Sequence, residues 1–179
     1  MLRRDVIKTL LSSAVILPLL NESAYGQDRK SMPIADFSLL WIKRGKDEFR
    51  ANLNDVEHYR QVCWLLRDTR ANVNRLASPW LLHSVAMLQA LVAKEIGWKP
   101  IEVVSGLRMP ETNRAVGGCR NSFHLPDARG MFYAMDVRMQ GVSSTTVGRI
   151  WQNLGQGGTG FYEGKNFVHL DVGNPRSWG

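Results

Sequence analysis

Hydrophobic and polar positions alternate most clearly near the end of the chain, where Val168, Leu170 and Val172 alternate with His169 and Asp171. A period of two residues is typical of a β-strand that buries one face. His169 and Asp171 therefore share the opposite face of the predicted strand. A histidine beside a carboxylate is half of a metal site or of an acid–base pair. The alternative is a surface hydrogen bond between the two side chains on an edge strand.

The rest of the pattern predicts a second hairpin, two further strands and three helices. A Glu-Gly-Lys-Asn turn joins the last strand to the one before it, and an Arg-Gly-Lys-Asp turn joins strands at 37–42 and 48–53. Apolar residues at helical spacing follow three capping positions, which are Asn54 or Asp55, Ser78 before Pro79, and Ser143 or Ser144. The predicted helices end near residues 66, 96 and 154, the further strands cover 101–104 and 133–137, and residues 152–159 form a loop. There are no internal repeats and there is no second-domain boundary.

The chain has 179 residues, which is enough for one domain with a substantial core. Its net charge of +7 indicates anionic partners. Nucleic acid is excluded as the expected partner, because the sequence has no basic run, no stripe of stacking aromatics and no nucleic-acid motif. An anionic cell-wall polymer or lipid headgroups fit the charge equally well.

The first 26 residues have the organisation of a signal peptide. A charged segment over residues 1–8 precedes an apolar run over 9–20 and a polar segment that ends before Gln27. An apolar run of this length is too short to cross the ~30 Å hydrocarbon core of a membrane. We therefore expect cleavage near Gln27, a mature domain over 27–179 and a periplasmic location without stable membrane insertion. Arg3-Arg4 resembles the twin-arginine export signal, and an ordinary Sec signal is the alternative.

Several short motifs follow one another along the second half of the chain. They are S-G-L-R at 105–108, N-S-F-H at 121–124, A-M-D-V at 134–137, F-V-H-L-D at 167–171 and R-S-W at 176–178. Their order resembles the zinc peptidases of the D-Ala-D-Ala metallopeptidase group, which share a core with lysostaphin-type enzymes and the hedgehog domain. Within that group the chain is most similar to the branch of periplasmic murein endopeptidases typified by MepK.

This resemblance implies a fold, a cofactor and a ligand set. The expected fold is a single α+β domain with a central antiparallel sheet and flanking helices. The expected cofactor is one Zn²⁺, bound by His124, Asp136 and His169. Three protein ligands with an open fourth position are typical of catalytic zinc, which lowers the pKa of bound water to about 7.

The resemblance also assigns roles around the metal. Arg108 corresponds to an arginine that stabilises the oxyanion formed during amide hydrolysis, and Ser122 to a serine near the substrate carboxylate. The family often places an acidic general base three residues before the last histidine, where this chain has Asn166. Asp171 is then the nearest carboxylate on the expected face, either as the general base or as the group that orients His169.

The spacing of one ligand pair departs from the family pattern. The family has its aspartate seven positions after the first histidine, whereas His124 and Asp136 are twelve positions apart. Pro126, Asp127 and Gly130 are turn formers, which indicates a lengthened loop between two ligand-bearing segments. Asp127 is the alternative metal ligand, but Asp136 lies in an apolar segment typical of a core strand.

Two cysteines, Cys63 and Cys119, are present. In an oxidising compartment they could form a disulfide, and a buried free thiol at Cys63 is the equal alternative. Cys119 lies five residues before His124 and is the less favoured candidate for an additional zinc ligand.

The predicted function is zinc-dependent hydrolysis of peptide cross-links in peptidoglycan by a periplasmic murein endopeptidase. Its expected partners are peptidoglycan stem peptides, and it is expected to be a monomer. Two alternatives use the same fold. One is a non-catalytic module that binds zinc and the cell wall, and the other is a carboxypeptidase that trims free stem peptides.

Overall fold

The computed structural model describes residues 37–179. The predicted signal peptide over residues 1–26 lies outside the described residues. Nine strands and four helices, here numbered in chain order, make up the described part. The strands are β1 Leu39–Arg44, β2 Asp47–Asn52, β3 Leu76–Ala77, β4 Ile101–Ser105, β5 Met131–Phe132, β6 Ala134–Met139, β7 Gly158–Tyr162, β8 Phe167–Asp171 and β9 Arg176–Trp178. The helices are α1 Val56–Leu65, α2 Pro79–Ile96, α3 Pro110–Ala115 and α4 Ser144–Leu154.

Seven of the strands form one sheet in the order β2-β1-β4-β6-β8-β7-β9, and β3 and β5 form a small second sheet. Most neighbours in the large sheet are antiparallel, but β1 pairs with β4 and β7 pairs with β9 in parallel. The predicted α+β domain with a central, largely antiparallel sheet is thus confirmed, with these two parallel pairs as the departure.

Helices α1, α2 and α4 pack against the large sheet and share one hydrophobic core with it. Helix α2 contacts β1, and α4 contacts β6, β7 and β8. The core side chains of the central strands alternate along each strand, as the sequence pattern predicts. They are Leu40, Ile42, Ile101, Val103, Met135, Val137, Val168 and Leu170.

Local sequence signals place the helix ends. The Asp55 carboxylate accepts hydrogen bonds from the backbone N–H groups of Glu57 and His58, and Ser143 caps α4 through the N–H of Thr146. Ser78 precedes α2 as predicted, but its side chain makes no capping hydrogen bond. Gly155 ends α4 in the left-handed conformation with φ of 63°, which costs glycine little.

Four differences from the predicted elements stand out. The short helix α3, the small sheet and the last strand β9 were not predicted. The predicted loop over 152–159 is shorter, because α4 continues to Leu154 and β7 begins at Gly158. The missed strands have only two or three residues and the missed helix has six, less than two helical turns, so none is long enough to show its own hydrophobic period.

The two cysteines are both free. Cys63 is buried in the core and Cys119 is exposed, so the disulfide alternative is wrong and the buried-thiol alternative is confirmed. Burial raises the pKa of the Cys63 thiol. Within residues 37–179, no helix combines the length and the apolar character that crossing a membrane requires.

Candidate active site

The centre of the large sheet brings two of the predicted ligands together. Strands β6 and β8 are antiparallel neighbours, and their register places Asp136 directly opposite His169. Side chains of directly opposed residues lie about 5 Å apart on the same face of a sheet. Asp136 and His169 are 3% and 7% exposed, so this is a buried polar pair beside the core.

The third predicted ligand, His124, comes from the loop between α3 and β5. Its backbone carbonyl accepts a hydrogen bond of 2.9 Å from the N–H of Arg108, and the carbonyl of Phe123 accepts one from Tyr133. The loop is therefore attached on one side to the segment after β4 and on the other to the start of β6. These bonds hold His124, which is 1% exposed, above the same face of the sheet.

Three ligand-type atoms from these residues form a compact triangle. His124 Nε2 lies 3.1 Å from Asp136 Oδ1 and 3.1 Å from His169 Nδ1, and the last two atoms are 3.0 Å apart. A triangle of this size has points about 2 Å from all three atoms, which is the bond length that zinc requires. Among the described residues, this is the one group of three or more histidine, cysteine or acidic residues that could hold a metal ion. The donor set therefore fits the predicted metal.

The remaining nitrogen of each histidine faces an oxygen that accepts a hydrogen bond. His124 Nδ1 lies 2.6 Å from the carbonyl oxygen of Gly106, and His169 Nε2 lies 2.9 Å from Asp171 Oδ2. Both oxygens only accept hydrogen bonds, so Nδ1 of His124 and Nε2 of His169 carry the protons. In the neutral rings, the lone pairs of the other two nitrogens then point into the triangle, as metal ligation requires.

Burial and pairing shift the pKa values of the triangle. Burial lowers the pKa of His124 below its ordinary value, which favours the neutral ring that binds metals. Burial alone would raise the pKa of Asp136, but the adjacent His124 and His169 rings and the positive charge of Arg108 outweigh it and hold the pKa well below its usual range. Burial alone would lower the pKa of His169, but the two carboxylates beside it, Asp136 and Asp171, outweigh burial and raise the pKa.

Arg108 lies at the edge of the triangle. Its guanidinium donates a hydrogen bond to Asp136 Oδ2 and another of 2.9 Å to Ser105 Oγ. The following N–H, of Met109, is bound at 2.7 Å by the buried carboxylate of Asp68. Hydrogen bonds thus hold both the Arg108 side chain and the backbone that follows it. They keep the positive charge of the guanidinium beside the predicted metal position, where it is available to a reacting carbonyl group.

An open cavity of about 640 Å³ lies over the triangle. Its lining includes the three predicted ligands, Arg108 and Ser122, so both predicted accessory residues line the same cavity as the ligands. Ser122 Oγ also accepts a hydrogen bond of 3.3 Å from the N–H of His124. The serine therefore stabilises the loop in addition to facing the cavity. Aromatic and cationic side chains complete the wall; they are Phe123, Tyr162, Lys165, Phe167, Arg176 and Trp178.

Asp171 is completely buried beneath His169 and does not line the cavity. Burial alone would raise the pKa of Asp171, but hydrogen bonds from His169 and Arg176 outweigh it and keep the pKa well below its usual range. A general base must reach the reacting water. The surroundings of Asp171 instead fit the predicted alternative, a carboxylate that orients His169.

Comparison with known proteins identifies the family of the chain. The profile of the Peptidase M15 family matches residues 58–171, a segment that contains the whole triangle. The chain belongs to the Peptidase M15 family. M15 proteins are metallopeptidases, and the predicted relationship to this peptidase group is confirmed.

Two relatives illustrate the similarity. The peptidoglycan L,D-endopeptidase MepK of Escherichia coli K12 is 30% identical over 139 residues, which cover 75% of this chain and 69% of that protein. A probable peptidoglycan L,D-endopeptidase MepK of Haemophilus influenzae is 30% identical over 124 residues, which cover 66% of this chain and 63% of that protein.

In this M15 peptidase, the long loop between His124 and Asp136 is held together by hydrogen bonds among its own residues. Asp127 Oδ1 accepts hydrogen bonds from the N–H groups of Arg129 and Met131, and Oδ2 accepts one from the Tyr133 hydroxyl. Gly130 completes the turn with φ of 78°. Asp127 is exposed and is not part of the triangle, so the structure places Asp136, and not the alternative Asp127, beside the two histidines.

We predict that Asp127→Asn leaves metal binding almost unchanged. Its two oxygens are engaged by the loop, and a carboxylate outside the coordination shell contributes little to affinity, so we expect a change of no more than about twofold. Zinc content per purified protein, measured by mass spectrometry of the metal, checks this. A folded Asp127→Asn protein without zinc would restore Asp127 as the ligand.

Other parts of this M15 site differ from the prediction or were missed. Asn166, at the expected position of an acidic base, adopts a left-handed turn conformation with φ of 51° and does not line the cavity. Cys119 lines the cavity but is not part of the triangle. Arg176 and Trp178 also line the cavity. The sequence assigns them no role, and the R-S-W motif at 176–178 is the signal that could identify them.

Proposed function

We propose that this chain is a zinc-dependent peptidoglycan endopeptidase that hydrolyses peptide cross-links between stem peptides. The observation that carries the proposal is the triangle of His124, Asp136 and His169 at the base of an open cavity in a member of the M15 family. The activity named for the two relatives, peptidoglycan L,D-endopeptidase, supplies the substrate class and the expected bond type.

In this proposal His124, Asp136 and His169 hold Zn²⁺. When bound, zinc activates a water molecule near neutral pH and polarises the scissile carbonyl group. Gly106 and Asp171 keep the two histidines in the tautomers that bind metal, because an oxygen of each accepts a hydrogen bond from the outer ring N–H. Asp171 acts as this orienting group, since its burial keeps it away from substrate.

Two further residues act on the substrate. Arg108 faces the cavity beside Asp136 and stabilises the negative charge that develops on the carbonyl oxygen. Ser122 lies on the same wall, and its hydroxyl donates a hydrogen bond to a substrate carboxylate. Lys165, also on the wall, has no carboxylate partner among residues 37–179 and adds positive charge that suits the anionic stem peptides.

Export completes the proposal. Residues 1–26 have the order of charged, apolar and polar segments that is typical of a signal peptide, and peptidoglycan lies outside the cytoplasm. We propose that the mature enzyme begins near Gln27 and acts in the periplasm. N-terminal sequencing of the exported protein tests this, and an intact Met1 on a membrane-bound form would contradict it.

Digestion of purified murein sacculi tests the activity. We expect the purified protein to release muropeptides by opening cross-links, to lose this activity with a chelator and to regain it with Zn²⁺. Mass analysis of the products separates L,D from D,D cross-links. Restoration by another divalent metal but not by zinc would contradict the proposed cofactor.

The same experiment separates the two alternatives. Among the described residues, Asp136 is the only carboxylate that lines the cavity, and the lack of a free acidic base favours a non-catalytic wall-binding module as second candidate. Such a module would sediment with sacculi in the presence of zinc without releasing muropeptides. A carboxypeptidase would release single amino acids from free stem peptides and leave cross-links intact.

A further inference from the structure

The carboxylate of Asp171, which lies beneath His169, is bound by an arginine from β9, the last strand of the sheet. Arg176, in β9, forms a two-pronged ion pair with Asp171, with Nη1–Oδ1 and Nη2–Oδ2 distances of 3.0 and 2.7 Å. Asp171 Oδ1 also accepts hydrogen bonds from the N–H groups of Gly158 and Gly173. A fully buried carboxylate is costly without such partners, and the planar guanidinium fixes both of its oxygens.

Arg176 is itself held in place by aromatic rings. Its guanidinium carbon lies 5.1 Å from the ring centroids of both Phe123 and Trp178. The Trp178 ring also lies 5.1 Å from the His169 ring, and its indole N–H donates a hydrogen bond of 3.2 Å to the Tyr162 hydroxyl. Strand β9 therefore contacts His169 in two ways, directly through Trp178 and through Asp171.

The neighbouring strand β7 makes room for both side chains. β7 and β9 are parallel, and their register pairs Gly158 with Arg176 and Gly160 with Trp178. A Cβ atom on Gly158 would overlap the Arg176 guanidinium, and a Cβ atom on Gly160 would lie 2.6 Å from the Trp178 ring. The two glycines thus form a cradle for the side chains of β9.

We propose that Arg176 and Trp178 are positioning residues for the metal ligand His169. Arg176 locks the Asp171 carboxylate, which fixes the Nε2 proton and ring plane of His169, and Trp178 supports the ring from the cavity side. Without them, Nδ1 of His169 loses its fixed direction toward Asp136 and His124. The inference rests on the proposed metal site and extends it to a strand that touches no metal.

Metal affinity of the full chain tests the role of Arg176. We expect Arg176→Gln to weaken Zn²⁺ binding, measured by competition with a chromophoric chelator, by about 10–100-fold, as is typical for partners of metal ligands. The visible absorption bands of the Co²⁺-loaded protein should also change, because they report the ligand geometry. Arg138→Gln is the matched control, since Arg138 is an arginine on β6 that pairs only with Glu102, outside the site. It should change neither measurement.

A double-mutant cycle shows whether Arg176 acts through Asp171. We expect Asp171→Asn alone to weaken zinc binding, and Arg176→Gln added to it to cause little further loss, because the two residues act on His169 as a unit. A merely structural role of Arg176 would instead add its full effect in the double variant, which would contradict the proposal.

Two further variants complete the test. Arg176→Lys keeps a positive charge beside the buried carboxylate but loses the two-pronged geometry, so it serves where Arg176→Gln fails to fold. It should show an intermediate loss of zinc affinity. Gly160→Ala, which displaces Trp178, should also alter the Co²⁺ spectrum.

The outcomes distinguish this inference from the proposed function. Wild-type zinc affinity and Co²⁺ spectrum in folded Arg176→Lys or Arg176→Gln would overturn the role of Arg176. An unchanged spectrum in Gly160→Ala would overturn the role of Trp178. A wild-type protein that binds neither metal would contradict the metal site itself, and this inference with it.

Discussion

Asp136→Ala should abolish both zinc retention and the release of muropeptides. Asp136 Oδ1 is the corner of the triangle that faces both histidines, and its other oxygen binds Arg108. Removing Asp136 leaves only two protein ligands. It also leaves the largely buried guanidinium of Arg108 without its carboxylate partner. The loss of zinc affinity should therefore exceed the roughly 10–100-fold that is typical of changes outside the ligand set.

Zinc content and digestion of sacculi measure this effect side by side. His169→Ala should behave in the same way, because each variant removes one of three ligands. Asp127→Asn is the matched control, since it changes an aspartate on the loop between His124 and Asp136 without touching the triangle. Zinc retention with full activity in Asp136→Ala would contradict the assignment of this ligand.

The sequence predicted the elements of the site better than their arrangement. Alternation of polar and apolar residues was sufficient to predict the strand that carries His169 and to place His169 and Asp171 on one face, and the apolar character of its segment predicted the strand that carries Asp136. It contained no information that these strands are neighbours, because the pairing joins residues 33 positions apart. That step came from the resemblance to a peptidase group, whose motif order implied a common site.

The alternating pattern also did not predict that the side chains on the site face of β8 are buried. Strand β8 was predicted to be half-buried, yet His169 and Asp171 are buried as well as Val168 and Leu170. Loop residues and β9 cover them, and neither follows from the alternation within β8. This cover is what separates the two alternatives for Asp171, because an exposed carboxylate could serve as a base and a buried one orients its neighbour.

The last strand could not be predicted from its own residues. Arg176–Trp178 is three exposed residues long, so it has neither a hydrophobic period nor the burial of a core strand. It is held by parallel pairing with β7 and by the ion pair between Arg176 and Asp171. Both contacts depend on the folded sheet. A short edge strand of this kind is therefore visible only in the tertiary structure.

Arg108→Ala should retain zinc and lose catalytic rate by roughly 10²–10³-fold, the usual cost of removing an oxyanion donor. All three ligands remain, and Asp136 keeps its two contacts to the histidines. The guanidinium lies at the cavity wall, where its charge meets the carbonyl oxygen as it becomes negative. The effect should therefore appear in kcat more than in KM, because the interaction strengthens in the transition state.

Two roles of Arg108 can be separated by steady-state hydrolysis of a soluble cross-linked muropeptide, with zinc content measured on the same samples. As an oxyanion donor, Arg108 lowers the barrier and its loss leaves the metal in place. As a support for Asp136, its loss should instead lower zinc content and activity together.

Arg108→Lys keeps the charge without the planar fork and should recover part of kcat. Arg138→Ala, on the same strand as Asp136 but paired with Glu102, should match the wild type in both measurements. Zinc loss in proportion to activity in Arg108→Ala would assign the arginine to metal binding and contradict its role at the oxyanion.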